Sequence, residues 1–112
     1  MIVETVSTGT AMNLGYCSLK FFLHGNNSLK GKRKVIRAIK DRLRNKFNVS
    51  VAEVGDQDVW QSLHLGIAAV SADAQYLDGL LQQVVNFVDN MHLAEMTDCH
   101  TEIINANNRY AD

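Results

Sequence analysis

Nine of the 11 Lys and Arg residues in this 112-residue chain lie between Lys30 and Lys46, interrupted by a single acid, Asp41. Elsewhere only Lys20 and Arg109 stand against the remaining acids. Ammonium and guanidinium groups at that density attract phosphate, by Coulomb focusing and by release of counterions from a polyanion. If the segment is helical, at about 100° per residue from Ile36, then Lys40, Arg33, Arg44, Arg37, Lys30 and Lys34 fall between about 40° and 160° and share one flank. Like charges four residues apart repel by a few tenths of a kcal/mol. Lys30–Lys34, Arg33–Arg37 and Lys40–Arg44 are three such pairs, against one attraction, Arg37–Asp41. Helix stability alone would mix the signs. An anionic partner accounts for the pattern, and a merely solvated charged face is the competing reading.

Other residue types offer less chemistry. His24, His64, His92 and His100 have no HExxH or comparable ligand spacing. Glu53, Asp56 and Asp58 form an acidic turn that lacks the remaining ligands of a calcium loop; Asp56 is read as making local backbone bonds instead. Gly25-Asn26-Asn27-Ser28 lacks the spacing of a P-loop or a dinucleotide fingerprint, and Ser28 is read as a helix cap. Cys17 and Cys99 are too few for a disulfide framework and sit in alternating apolar stretches, where a free cysteine behaves as a small buried hydrophobe. That usage suits a reducing compartment. No catalytic residue, cofactor or metal is expected.

The elements that must position the basic cluster are legible from periodicity. Leu14 to His24 alternates as a strand, with Cys17, Leu19, Phe21 and Leu23 on one face and Tyr16, Ser18, Lys20, Phe22 and His24 on the other. A helix follows from Ser28 to about Phe47, its apolar stripe Leu29, Ile36, Ile39, Leu43 and Phe47 with Val35 at the margin. A short strand, Val49 to Val54, and the turn Gly55-Asp56-Gln57-Asp58 lead to a strand from Trp60 to Ser71. Ser71 or Asp73 caps a second helix to about Met91, with the stripe Leu77, Leu80, Leu81, Val84, Val88 and Met91. The last strand is Ala94 to Ile104.

The order β-α-β-β-α-β predicts two right-handed βαβ crossovers. The result is an α+β ferredoxin-like plait: a four-stranded antiparallel sheet, order 4-1-3-2, with both helices on one face. Residues 1–11 read as a flexible leader, 12–104 as one domain and 105–112 as a polar tail. The first and last strands become neighbours, which could bring Cys17 near Cys99. The face without helices would carry Tyr16, Lys20, Phe22, His64 and Trp60, either as a platform or as an interface between two copies.

One stretch carries a family signature. Ser28-Leu29-Lys30-Gly31-Lys32-Arg33-Lys34-Val35, continued by Arg42-Leu43-Arg44-Asn45-Lys46-Phe47-Asn48-Val49-Ser50-Val51-Ala52-Glu53-Val54, resembles the YlxP-like bacterial family, a family of unknown function. Asp56-Gln57-Asp58-Val59-Trp60-Gln61 and Leu65-Gly66-Ile67-Ala68-Ala69-Val70-Ser71 extend the likeness over about Leu14 to Ile104. The resemblance implies the same ferredoxin-like fold. The family's gene often neighbours those for a translation initiation factor and a ribosome-binding factor, which implies association with RNA or the ribosome. Members commonly carry Asp where this chain has Gly31, so the first helical turn here is expected to be more basic and less rigid.

The chain is therefore expected to be a cytoplasmic, non-enzymatic domain. No apolar run is long enough to span a bilayer, and no signal peptide opens the chain. RNA or a ribosomal particle would be contacted through Lys30, Arg33, Lys34, Arg37, Lys40 and Arg44. The rival expectation is a homodimer or other self-associating module that pairs through the open sheet face, and a weaker third is a small-ligand domain using the space between paired sheets.

Overall fold

Cys17, Leu19, Phe21 and Leu23 are each no more than 2% exposed, and none of the residues between them is buried. The alternation thus sorts one face of the first strand into the core. The structure, a computed structural model, describes residues 11–106. The elements are β1 (Asn13–Phe22), α1 (Leu29–Lys46), β2 (Ser50–Gly55), β3 (Ser62–Ser71), α2 (Ala74–Asp89) and β4 (Glu95–Asn105). All pairings are antiparallel and the sheet order is β2-β3-β1-β4, the expected plait. Of the expected leader and tail, 1–10 and 107–112 lie outside the described residues. Among the described residues no helix is long and apolar enough to cross a membrane.

The core lies between the sheet and the two helices. Leu63, Leu65 and Ile67 of β3 join the inward residues of β1, under Ile36, Ile39 and Leu43 of α1 and Leu77, Leu81, Val84 and Val88 of α2. Leu29, Phe47, Leu80 and Met91, expected in the stripes, are only half-buried. Ser28 caps α1 by accepting from Gly31 N at 3.0 Å. Asp73 caps α2, accepting from the backbone of Gln75 and Tyr76, while Ser71 Oγ accepts from Asp73 N.

Three expectations need correction. β3 begins at Ser62, so Trp60 stands in the turn before it and not on the sheet. Asp56, with φ of 57°, starts that turn, and its carboxylate accepts from Ser62 Oγ at 2.6 Å and not from the local backbone. Cys99 is exposed although Cys17 is buried. Register places Cys99 opposite Leu19, hence on the helix side, but β4 is an edge strand whose middle is exposed on both faces. The two cysteines are diagonal neighbours, Cys17 lying opposite Thr101. Burial first, then the nearby Cys99, pushes the Cys17 thiol up to about 12, which removes it as a nucleophile at neutral pH.

The least expected core member is Lys32, 1% exposed in the buried stripe of α1. Its ammonium lies 3.1 Å from Glu53 Oε2 on β2 and donates to the carbonyls of Val59, at 2.9 Å, and Asp56. Two carbonyls thus accept from the ammonium and the Glu53 carboxylate balances its charge, which is what keeps a buried charge from being prohibitive. Gly31 is fixed by the same corner. Asn26 Nδ2 donates to the carbonyls of Ser28 (2.9 Å) and Trp60 (2.6 Å), which holds Asn26 Oδ1 only 2.2 Å from where a Cβ at Gly31 would sit. Gly31 therefore sits beside the Ser28 cap where the Asn26 side chain leaves no room for a Cβ.

Replacing Lys32 by Met should lower the unfolding free energy by about 2–4 kcal/mol, because two carbonyls and Glu53 lose their partner. Urea denaturation checks it, and a loss below about 1 kcal/mol would contradict the staple. Two helical glycines should respond with opposite sign. Nothing lies within 4 Å of a Cβ at Gly79, so Gly79→Ala should stabilise by about 0.5–1 kcal/mol. Gly31→Ala should instead destabilise, and Asn26→Ala in the same chain should offset part of that cost.

Candidate nucleic-acid interface

The residues of α1 that do not face the core divide into two flanks. Arg33, Arg37 and Arg44 are exposed and Lys40 is half-exposed; together with Ile36, Asp41 and Glu53 they line a shallow concavity of about 300 Å³. Lys30 and Lys34 are exposed and continue the flank toward the N-terminal end of the helix. From Lys30 to Arg44 the helix runs about 21 Å. The six expected phosphate contacts therefore share one side, and four of them border a single depression.

Electrostatically this flank is uncompensated. Among the described residues the ion pairs are Lys32–Glu53, His24–Glu95 and His100–Glu102, and none involves the six. Glu53, which the sequence reading did not place near the flank, enters the depression with its charge already met by Lys32. Asp41 remains as the acid diluting the six. Lys46 belongs to the opposite flank, its ammonium 4.9 Å from the centroid of Phe87 on α2. The cluster of nine thus separates by role: Lys32 inward, Lys46 onto an aromatic ring, Arg42 exposed off the flank, and six toward solvent on one side.

The face without helices holds a different set. Tyr16, Lys20 and Phe22 of β1 and His64 of β3 lie on it, as expected. His64 Nε2 and Ser18 Oγ are 2.6 Å apart. They border an apolar hollow of about 450 Å³ lined also by Tyr16, Ala52, Val54 and Gly66. Across the strands, Leu14 lies between Val70 and Ile104, an exposed apolar row. On the β4 side Tyr16 Oη donates to Glu102 Oε1 at 3.1 Å, which raises the phenol, while the bond from His100 and then that from Tyr16 hold the Glu102 carboxyl low. Phe22 packs edge-on to His24, which lies beyond the strand and pairs with Glu95. Trp60, expected with this group, is 52% exposed in the 56–61 turn.

That turn sits between the two surfaces. The Asp56 carboxyl is held below the usual range, first by Ser62 Oγ and then by Lys20, His64 and Lys32. Lys32 donates to the Asp56 carbonyl, and Lys20, His64 and Gly55 share one cross-strand row beside it. The sequence contains a signal for Lys32 that charge counting hides. At about 320° from Ile36 it lies between the directions of Ile39 and Leu43, in the middle of the buried stripe.

Comparison with known proteins places the chain. It is 40% identical over 89 residues to the uncharacterized protein YlxP of Bacillus subtilis (strain 168), an alignment covering 80% of this chain and 97% of that protein. Among solved structures, the de novo designed protein Foldit4 superposes with a TM-score of 0.48 at 9% identity, over 85% of this chain and 96% of that one. The designed protein Ferredog-Diesel gives 0.44 at 9% identity, over 80% and 83%. Residues 14–101, which hold every element but the strand ends, match the model of DUF503, a protein family of unknown function, and the chain belongs to that family.

Proposed function

We propose that this domain is a non-enzymatic binding protein that contacts RNA, free or in a ribosomal particle, by laying phosphates along the flank Lys30, Arg33, Lys34, Arg37, Lys40 and Arg44. The observation that carries the reading is that six cations stand together on one helix side with no ion pair among the described residues. Three like-charge i,i+4 pairs cost the isolated helix a few tenths of a kcal/mol each, and a phosphate chain reverses that sign. Affinity would come from counterion release, with little base readout from this flank, because such contacts fix a backbone without reading sequence.

Titration of a short single-stranded RNA at several salt concentrations tests this. With all six side chains on phosphate, log affinity should fall against log salt with a slope of about −4. Arg33→Glu, Arg37→Glu and Arg44→Glu combined should abolish binding while leaving the fold intact, since all three are exposed. Binding that survives the triple reversal, or does not respond to salt, would contradict the reading.

A second reading, self-association through the open sheet face, is supported by the exposed row Val70, Leu14 and Ile104, 61%, 42% and 44% exposed. Val70→Glu should then convert a dimer to a monomer in sedimentation. A wild-type chain that sediments as a monomer at high concentration would remove this reading.

A further inference from the structure

The turn 56–61 is held more firmly than closing a hairpin requires. Lys32 Nζ donates to the carbonyls of Asp56 and Val59, Asn26 Nδ2 to that of Trp60, and Leu23 N to that of Gln61 at 2.9 Å. Val59 N donates to the carbonyl of Asp56 at 3.0 Å, and Asp56 holds Ser62. The backbone is thus tied to α1, to the β1–α1 loop and to itself. Beside the exposed Gln57, Asp58 and Gln61, this scaffold presents two large apolar side chains to solvent: Val59 is 48% and Trp60 52% exposed. A buried lysine and a strapped asparagine hold in place the backbone that carries Trp60, whose side chain is not among the core residues. A rigid backbone carrying an open aromatic face is preorganised for a flat partner, because little entropy remains to be lost on contact.

The surroundings say which flat partner. The carbonyl of Trp60 is bonded to Asn26, which touches the site of Gly31, next to Lys30, where the basic flank begins. On the sheet side Lys20 lies in the cross-strand row of His64 and Gly55, which leads into the same turn. Asp58 is the exposed acid of the turn, while the half-buried Asp56 carboxylate accepts from Ser62 Oγ. An aromatic face at the end of a cationic track suits an unpaired base attached to a phosphate backbone. A base inside a duplex has both faces covered and cannot use it.

We propose that Trp60 is a stacking shelf for one unpaired base, so that the ligand is single-stranded RNA whose phosphates continue onto the α1 flank. This rests on the phosphate reading of that flank and narrows it to a substrate class. Stacking tolerates any base, so selection acts on strandedness and not on sequence.

Trp60 is the single tryptophan of the chain, so its fluorescence reports on the shelf directly. A short oligouridylate should quench it saturably, and an RNA duplex of equal length should not. By anisotropy of labelled oligouridylate, Trp60→Ala should bind about 5- to 150-fold more weakly, with the salt slope unchanged. Trp60→Phe should recover much of the affinity. Equal affinity of Trp60→Ala and wild type with the slope still near −4 would overturn the shelf and leave the phosphate flank standing. Equal binding of duplex and single strand would also overturn it. Absence of salt-sensitive binding to either RNA would overturn both the flank and the shelf, and an indole buried instead by a protein partner would then be the remaining occupant.

Discussion

A lysine ammonium that is almost wholly removed from water needs acceptors and a counter-charge, and Lys32 finds two carbonyls and a carboxylate on three residues of one β-hairpin. Its bonds to Glu53, Asp56 and Val59 fix how α1 lies against β2 and the turn that follows. Lys32 points the same way as the apolar stripe, so the ion pair and the core packing set the same roll of the helix. Ile36, Ile39 and Leu43 then face the sheet and the flank from Lys30 to Arg44 must face solvent. A stability argument alone would favour an apolar residue at this position, since a buried ion pair is seldom better than good packing. The pair specifies orientation, and orientation is what a binding surface needs.

The same constraint links features far apart in sequence. Glu53 would otherwise place a negative charge beside Arg33 and Arg37, and Lys32 neutralises it from below. Asn26 and Gly31 extend the strap to the carbonyl of Trp60, so that an exposed indole and a row of exposed cations share one rigid frame. On the opposite side of the sheet, Leu14, Val70 and Ile104 form an apolar row that the helices do not cover. The two surfaces meet at the 56–61 turn, which Lys32 bonds from one side and the cross-strand row of Lys20, His64 and Gly55 leads into from the other.

Much of this was readable from the sequence. Period-two alternation in Cys17–Leu23 and Leu63–Ala69 and the stripe Ile36–Ile39–Leu43 gave the sheet, the helices and the strand order, and they placed six cations on one flank. What escaped has physical causes. Charge counting treats lysines alike, so Lys32 counts among the nine cations and is left out of both the flank and the stripe, although its wheel position lies inside the stripe. The apolar run of β3 was extended back through Trp60 because Val59 and Trp60 are not turn-type residues; tertiary bonds to Lys32 and Asn26 hold them in the turn instead. Alternation assigned Cys99 to the helix side but says nothing of how far across the sheet a helix reaches, and the edge strand β4 stays exposed there.

Lysine acetylation followed by mass spectrometry, with and without single-stranded RNA, tests the division of the basic cluster most directly. The account predicts that Lys32 resists modification in the free protein while Lys30, Lys34 and Lys40 react. On RNA binding those three become protected and Lys46 does not. Rapid acetylation of Lys32 in the folded protein, or protection of Lys46 with Lys30 and Lys34 still reactive, would contradict it.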